Sequence, residues 1–218
     1  MLKFKLQTVN LKAMKNNTRF IKYVKEQCEL HEVKCDLQPR KYLDLSGDIK
    51  CGGWFDGENK ELAAAMKHKD AMSLLVHEYG HMTQWLEDID IWKRCMDDDS
   101  HNVVDEWLAG KYFEDINYHI DNCKYLELDN EKRAVKLIKK FDLEIDVDDY
   151  IRKSNAYVQF YNYLKLSRKW SVPKNSPYMN DRIKSNCPKT FSMDYSKISR
   201  KLEKIFREEN IGFPKSKK

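Results

Sequence analysis

Ala71-Met72-Ser73-Leu74-Leu75-Val76-His77-Glu78-Tyr79-Gly80-His81-Met82-Thr83-Gln84-Trp85-Leu86 is the stretch from which the rest of the chain is read. Its apolar spacing predicts a helix running through His77-Glu78-x-x-His81. Positions i and i+4 share a helix face, so His77 and His81 can converge on one ion. Glu78, beside the first histidine, is placed to reach a water at the ion instead of the ion itself. The pattern is that of a zinc-hydrolase helix. Zinc accepts neutral imidazole nitrogens, keeps a position open for water and lowers that water's pKa toward neutrality. A carboxylate such as Glu78 then takes the proton and hands it to the leaving group. Gly80 costs about 1 kcal/mol relative to alanine in a helix interior, which points to close approach near the ion. The competing reading is two histidines on an ordinary surface helix.

The chain has 218 residues, of which 41% are hydrophobic and 34% charged. That composition belongs to a folded, soluble protein and excludes a disordered one. The length fits a core over residues 1–170 with a basic C-terminal extension over 171–218. No run of 18 apolar residues occurs, so no membrane span is expected. Met1-Leu2-Lys3-Phe4-Lys5-Leu6 alternates charged with apolar residues and has no signal-peptide core. The expected location is the cytoplasm of the producing or infected cell. Six cysteines occur without a Cys-x-x-Cys pair and read as free thiols in that compartment. Cys28-x-x-His31-x-x-x-Cys35 has the look of half a zinc site, with Cys51 as the nearest fourth ligand. Buried core cysteines are the simpler reading.

The net charge of +5 conceals an asymmetry: residues 86–150 carry 9 Lys/Arg against 19 Asp/Glu, whereas residues 165–218 carry 15 against 5. Either the two segments attract each other or face solvent, or the basic segment touches nucleic acid or an acidic partner. Dispersed lysines and arginines favour the first.

Phe20, Val24 and Cys28 recur at helical spacing, predicting a first helix from Asn17 to about His31 with Asn16, Asn17 and Thr18 as cap. From Asp36 the period changes. Tyr42–Leu45, Cys51–Phe55 and Leu62–Met66 read as strands, the last two joined by the turn Asp56-Gly57-Glu58-Asn59. An exposed edge of such a hairpin can hold an extended peptide by main-chain hydrogen bonds, or the hairpin simply covers the helix. Asp97–Ser100 reads as a charged loop, and helical spacing resumes at Val103 and Trp107. Leu128, Val135, Ile138 and Phe141 form an apolar helix face. Val147–Leu166 is rich in aromatics. Pro173, Pro177 and Pro188 mark a connector, and a final helix over about Asp194–Glu209 presents Ile198, Leu202, Ile205 and Phe206. Gly212 and Pro214 end it, with a disordered tip expected over Lys215–Lys218.

Glu127 and Glu131 stand at i and i+4 on the Leu128–Phe141 helix, a repulsive pair that a nearby cation relieves. Zinc in a hydrolase takes a third protein ligand, commonly a glutamate from a second helix.

His77-Glu78-x-x-His81, followed by Glu127-x-x-x-Glu131-x-x-Ala134, resembles the gluzincin metallopeptidases. His-Glu-Tyr-Gly-His-Met-Thr-Gln-Trp-Leu, Leu-Asp-Asn-Glu-Lys-Arg-Ala-Val-Lys-Leu-Ile and Asn-Ala-Tyr-Val-Gln-Phe-Tyr are similar to uncharacterised metallopeptidase-like proteins of tailed bacteriophages. The likeness extends over most of the chain. It implies Zn2+ held by His77, His81 and Glu127, with Glu78 as general base. It also implies Glu131 as an acid that orients a ligating histidine. Asn130 stands where the family has alanine, and Glu131 is longer than the usual aspartate, so exchange of roles between Glu127 and Glu131 stays open. His119 and Glu106 are further candidates for the third ligand. Tyr157 is a candidate oxyanion stabiliser, although an aromatic helix face is more often core.

The expectation is therefore an α+β, mostly helical protein with a small N-terminal sheet before the His-Glu-x-x-His helix. It is expected to act as a zinc-dependent hydrolase on peptide or protein substrates. The rivals are a non-catalytic, metal-stabilised interaction protein and a nucleic-acid-associated factor working through the basic C-terminal segment.

Overall fold

A computed structural model describes residues 2–46 and 49–212. The protein is α+β and mostly helical, in the order α1 (Leu2–Leu30), β1 (Lys34–Gln38), β2 (Leu43–Ser46), β3 (Ile49–Cys51), β4 (Gly53–Asp56), β5 (Glu61–Ala65), α2 (Ala71–Leu86), α3 (Asp90–Asp97), α4 (Ser100–Leu108), α5 (Ile116–Phe141), α6 (Val147–Ser167), α7 (Asp181–Ser185) and α8 (Arg200–Glu208). Two short 3-10 turns, Pro173–Asn175 and Pro177–Met179, precede α7. No helix among the described residues is long and apolar enough to cross a membrane. The chain divides into two compact units, residues 1–87 with 133–145 and residues 88–132 with 146–218.

In the first unit a three-stranded sheet has the order β1-β5-β4, with β1 parallel and β4 antiparallel to the central β5. The β4–β5 hairpin follows its turn chemistry: Asp56 Oδ1 accepts from the backbone N–H groups of Glu58 and Asn59, both at 2.9 Å. Leu62, Ala63, Ala64 and Ala65 of β5 are fully buried. Alanine is a poor strand former in isolation, but here it is flanked on both edges and both faces. Ala63 and Ala65 pack with Leu43, Cys51 and Trp54, and α2 lies against β5 and β4. β2 and β3 form a separate antiparallel pair. The parallel strand β1 escapes sequence reading because its partner lies 27 residues away, across the β2–β3 excursion.

Helix α1 begins far ahead of the Asn17 start that its polar residues suggest. Asn16 and Thr18 do not cap it: Asn16 Nδ2 donates to the Asp142 carbonyl at 2.9 Å, and the Thr18 hydroxyl donates back to the Met14 carbonyl at 2.8 Å. Phe20, Val24 and Cys28 are all buried. Phe20 meets the Tyr79 and Phe141 rings edge-on at centroid distances of 6.1 and 5.0 Å. The last turns of α5 join this unit, where Arg133 Nη1 donates to Glu87 Oε2 at 2.7 Å and to Thr83 Oγ1 at 3.3 Å.

The second unit is helical. Asp97–Ser100 is only a two-residue turn, Asp98–Asp99, with Asp99 at φ 49°, and α3 and α4 pack on each other across it. Leu128, Val158 and Tyr195 form one core cluster, with Phe191 and Met193 against it. α6 carries a buried amide stripe that the aromatic pattern conceals. Asn155 Nδ2 donates to the carbonyls of Pro188 and Thr190, Gln159 to that of Asp194, and Asn162 to that of Tyr195. These bonds fix the irregular run 186–196, whose carbonyls have no helix or strand to satisfy them. The last helix starts at Arg200 instead of Asp194 because Ser199 caps it, accepting from Leu202 N at 3.2 Å. Leu202, Ile205 and Phe206 are buried and Ile198 precedes the helix. Gly212 adopts φ 82°. Pro214 and the tip over Lys215–Lys218 lie outside the described residues.

The charge asymmetry is partly consumed inside this unit. Lys165, Lys184 and Lys189 pair with Asp121, Asp149 and Asp148, while Arg182 pairs with Glu208 and Glu209. All six cysteines are free.

Phe20→Ala leaves a ring-sized void between α1, α2 and the end of α5. It is expected to lower unfolding stability by about 3–5 kcal/mol, read as a drop in urea midpoint at unchanged slope.

Candidate metal centre

Helix α2 lies on β5 and β4 through Leu75, Val76, Tyr79 and Met82, which are buried. That burial fixes the helix rotation and leaves His77 and His81 at its partly exposed margin. Their Nε2 atoms are 3.2 Å apart, with the rings nearly perpendicular at a centroid distance of 4.8 Å. Two nitrogens each about 2.0–2.1 Å from one tetrahedral zinc would be separated by about 3.3 Å. The pair therefore already has the spacing of one tetrahedral edge.

The buried Gln84, one turn further on, places Oε1 at 2.9 Å from His81 Nδ1. A carboxamide oxygen only accepts, so this contact puts the proton on Nδ1 and makes Nε2 the ring's acceptor, the tautomer in which an imidazole ligates a metal through Nε2. Gln84 was not singled out in the sequence. Its spacing of three from His81 on one helix is the signal that would have found it.

Glu78 is buried, with 8% of its surface exposed, and points toward the sheet. Its Cγ and Oε1 lie 3.0 and 3.4 Å from the place a Cβ on Gly53 would occupy, and that Cβ would also stand 2.7 Å from the Ala63 carbonyl oxygen. Gly53 of β4 thus makes room for the carboxylate. A glycine in a strand marks such close approach, and Gly52-Gly53 carried that signal. Among the described residues β4 stands at an edge of its sheet, next to β5. Gly80, expected to open the backbone near the ion, is buried in α2 with its carbonyl accepting from the Thr83 hydroxyl at 2.7 Å.

The remaining predicted residues lie in the second unit. Glu127 and Glu131 are buried one turn apart on α5, with 7% and 6% of their surface exposed. Glu131 Oε2 accepts from the Ser154 hydroxyl at 2.8 Å. The Tyr157 hydroxyl is 3.2 Å from that of Tyr161, and its ring packs on Tyr161 and Tyr178. Removal from water and, next, the Glu127 carboxylate hold the Tyr157 phenol well above the usual tyrosine range. It is a hydrogen-bond donor at all ordinary pH.

His119 and Glu106 have other employment. His119 Nδ1 is 3.1 Å from the Ser100 hydroxyl and Nε2 is 3.4 Å from Asp115, while Glu106 is paired with Lys111 at 2.6 Å. Among the described residues, Cys28, His31 and Cys35 do not assemble into a group at ligand spacing. Comparison with family models, curated proteins and solved structures finds no match to this chain.

Replacing Gln84 by leucine frees the His81 tautomer and ring orientation. Zinc affinity, measured by competition with a chromogenic chelator, is expected to fall about 10–100-fold.

Proposed function

We propose that this protein is a zinc-dependent hydrolase, most consistent with a metallopeptidase. The observation that carries the reading is the His77–His81 nitrogen pair at 3.2 Å, with Gln84 setting the His81 tautomer and Glu78 buried beside Gly53 on the same helix. A surface helix with two incidental histidines has no need of any of these. We assign His77 and His81 as ligands and Glu127 as the third. Glu127 is favoured over Glu131 because Ser154 already donates to Glu131, which fits Glu131 to an orienting role. His119 and Glu106 are engaged within their own unit.

When bound, zinc supplies a Lewis acid that polarises both a water and a scissile carbonyl. Glu78 accepts a proton from the attacking water and returns it to the departing amine. Gly53, having no side chain, leaves the space on β4 against which the Glu78 carboxylate lies. The edge strand β4 is assigned to hold an extended peptide by main-chain hydrogen bonds alongside that carboxylate. Tyr157, held protonated, is assigned as a donor to the developing oxyanion. Peptide or protein is accordingly the substrate class, and the six free thiols suit a reducing cytoplasm.

Nucleic-acid binding by residues 165–218 is the second reading. It is weakened by the ion pairs that occupy Lys165, Arg182, Lys184 and Lys189.

Glu78→Gln is expected to retain one zinc per chain by elemental analysis while hydrolysis of a peptide library falls at least 100-fold. Full activity in that variant, or no zinc in wild type after loading and dialysis, would sink the proposal.

A further inference from the structure

The second unit contains a Cys/His cluster that the hydrolase reading does not use. Cys95 on α3, His101 on α4 and Cys123 on α5 each offer one ligand atom, and these atoms all lie within 4.8 Å of one another. The two sulfurs are 4.0 Å apart, and Cys123 Sγ is 3.6 Å from His101 Nδ1. Tetrahedral zinc, with bonds of about 2.3 Å to sulfur and 2.0–2.1 Å to nitrogen, places two thiolates about 3.8 Å apart. The same bonds place thiolate and imidazole about 3.6 Å apart. Both separations in the protein fall within a few tenths of an ångström of these edges.

From these distances we infer a second metal site, a Cys95–His101–Cys123 centre for a thiophilic divalent cation, zinc first.

The fold builds the cluster deliberately. Asp99 takes the left-handed conformation at φ 49°, a position that favours glycine. Its carboxylate holds Asn102 Nδ2 at 2.8 and 3.1 Å. This two-residue turn folds α4 back on α3 and brings residues six apart in sequence to one point. Both cysteines are buried, whereas His101 is exposed, so an ion enters on the imidazole side and meets sulfur beneath it. Two thiolates and a neutral imidazole carry two negative charges, which a divalent cation cancels. Asp105 and Glu127 add negative potential at His101 and Cys123, which favours a cation further. Three protein ligands leave a fourth position for water or another donor. The ion would tie α3, α4 and α5 together where the unit has a pair of unlinked thiols. The ligands lie 6 and 22 residues apart, which matches no Cys-x-x-Cys spacing and explains why the sequence does not announce the site.

Cobalt substitution tests this in the intact, fully reduced protein. Thiolate-to-cobalt charge transfer absorbs in the near ultraviolet, and a site of imidazole and carboxylate ligands alone has no such band. Wild type is expected to develop the band, and His77→Ala/His81→Ala, with the α2 pair removed, to saturate it at one cobalt per chain. The band should persist in His77→Ala/His81→Ala, which separates this site from the α2 histidines. Cys123→Ser should lose most of the band. His101→Ala, an exposed substitution that spares the core, should keep the fold and weaken cobalt binding at least tenfold. Absence of the band in wild type would overturn the inference. So would a band undiminished in Cys95→Ser, Cys123→Ser and His101→Ala, or a Cys95–Cys123 disulfide that resists the reductant. A hydrolase without the band, or the band without hydrolysis, would decide the two readings separately.

Discussion

The buried alanines of β5 are the constraint on which the first unit depends. Ala63, Ala64 and Ala65 have no exposed surface, and a methyl group is all that stands between the strand backbone and whatever packs on it. Gly53 pairs with Ala64 across the β4–β5 ladder, so both point to the same face of the sheet. That is the face where Glu78 descends from α2. A helix lying on larger side chains would stand further off and carry its carboxylate away from the strand edge. Small residues on the strand and large ones on the helix thus set the depth of Glu78. His77, immediately before it, and His81, three residues on, inherit their position from the same contact.

What the sequence made legible follows from the range of the interactions involved. The α2 helix, its histidine spacing and the β4–β5 hairpin are local, set by periods of 3.6 and 2 and by one Asp-Gly turn. β1 is not local, since its partner β5 lies beyond another pair of strands. The early start of α1 was hidden by polar residues at 16–18 that look like a cap. The side chains of Thr18 and Asn16 find partners at Met14 and Asp142 instead, and only the latter requires the fold. Glu127 and Glu131 could be singled out by spacing, but their different environments could not: Ser154, 23 residues on, distinguishes them. Gln84 and Gly53 were missed although each left a local trace, one at helical spacing from His81, the other as a glycine inside a strand. Cys95, His101 and Cys123 left none, because their convergence depends on a left-handed Asp99 and on the packing of three helices.

The two units use polar burial in contrasting ways. In the first, the buried polar side chains among the described residues are Glu78 and Gln84, both on α2. In the second, Asn155, Gln159 and Asn162 sit on successive turns of α6 and satisfy backbone carbonyls of a segment without regular structure. Lys124, fully buried, completes that network through Asp121 and Asn162. Replacing such groups by hydrocarbon would strand carbonyls as well as remove bonds, and the stranded groups carry the larger cost.

The amide stripe on α6 has a consequence for how the segment 186–196 should be thought of. By composition, with proline, lysine, threonine and serine, it resembles a linker, the kind of stretch chosen for a cleavage site, an affinity tag or a domain graft. In the folded protein its carbonyls are held from below by three buried side chains, and Tyr195 reaches down to Asn155 at 2.5 Å. It is therefore a surface segment pinned through its main chain: Cys187 and Tyr195 are buried, while Lys189, Thr190, Ser192, Asp194 and Ser196 stay exposed. Chain engineering is better tolerated where the backbone is not so held, because an insertion at 186–196 would pull carbonyls off the amides of α6.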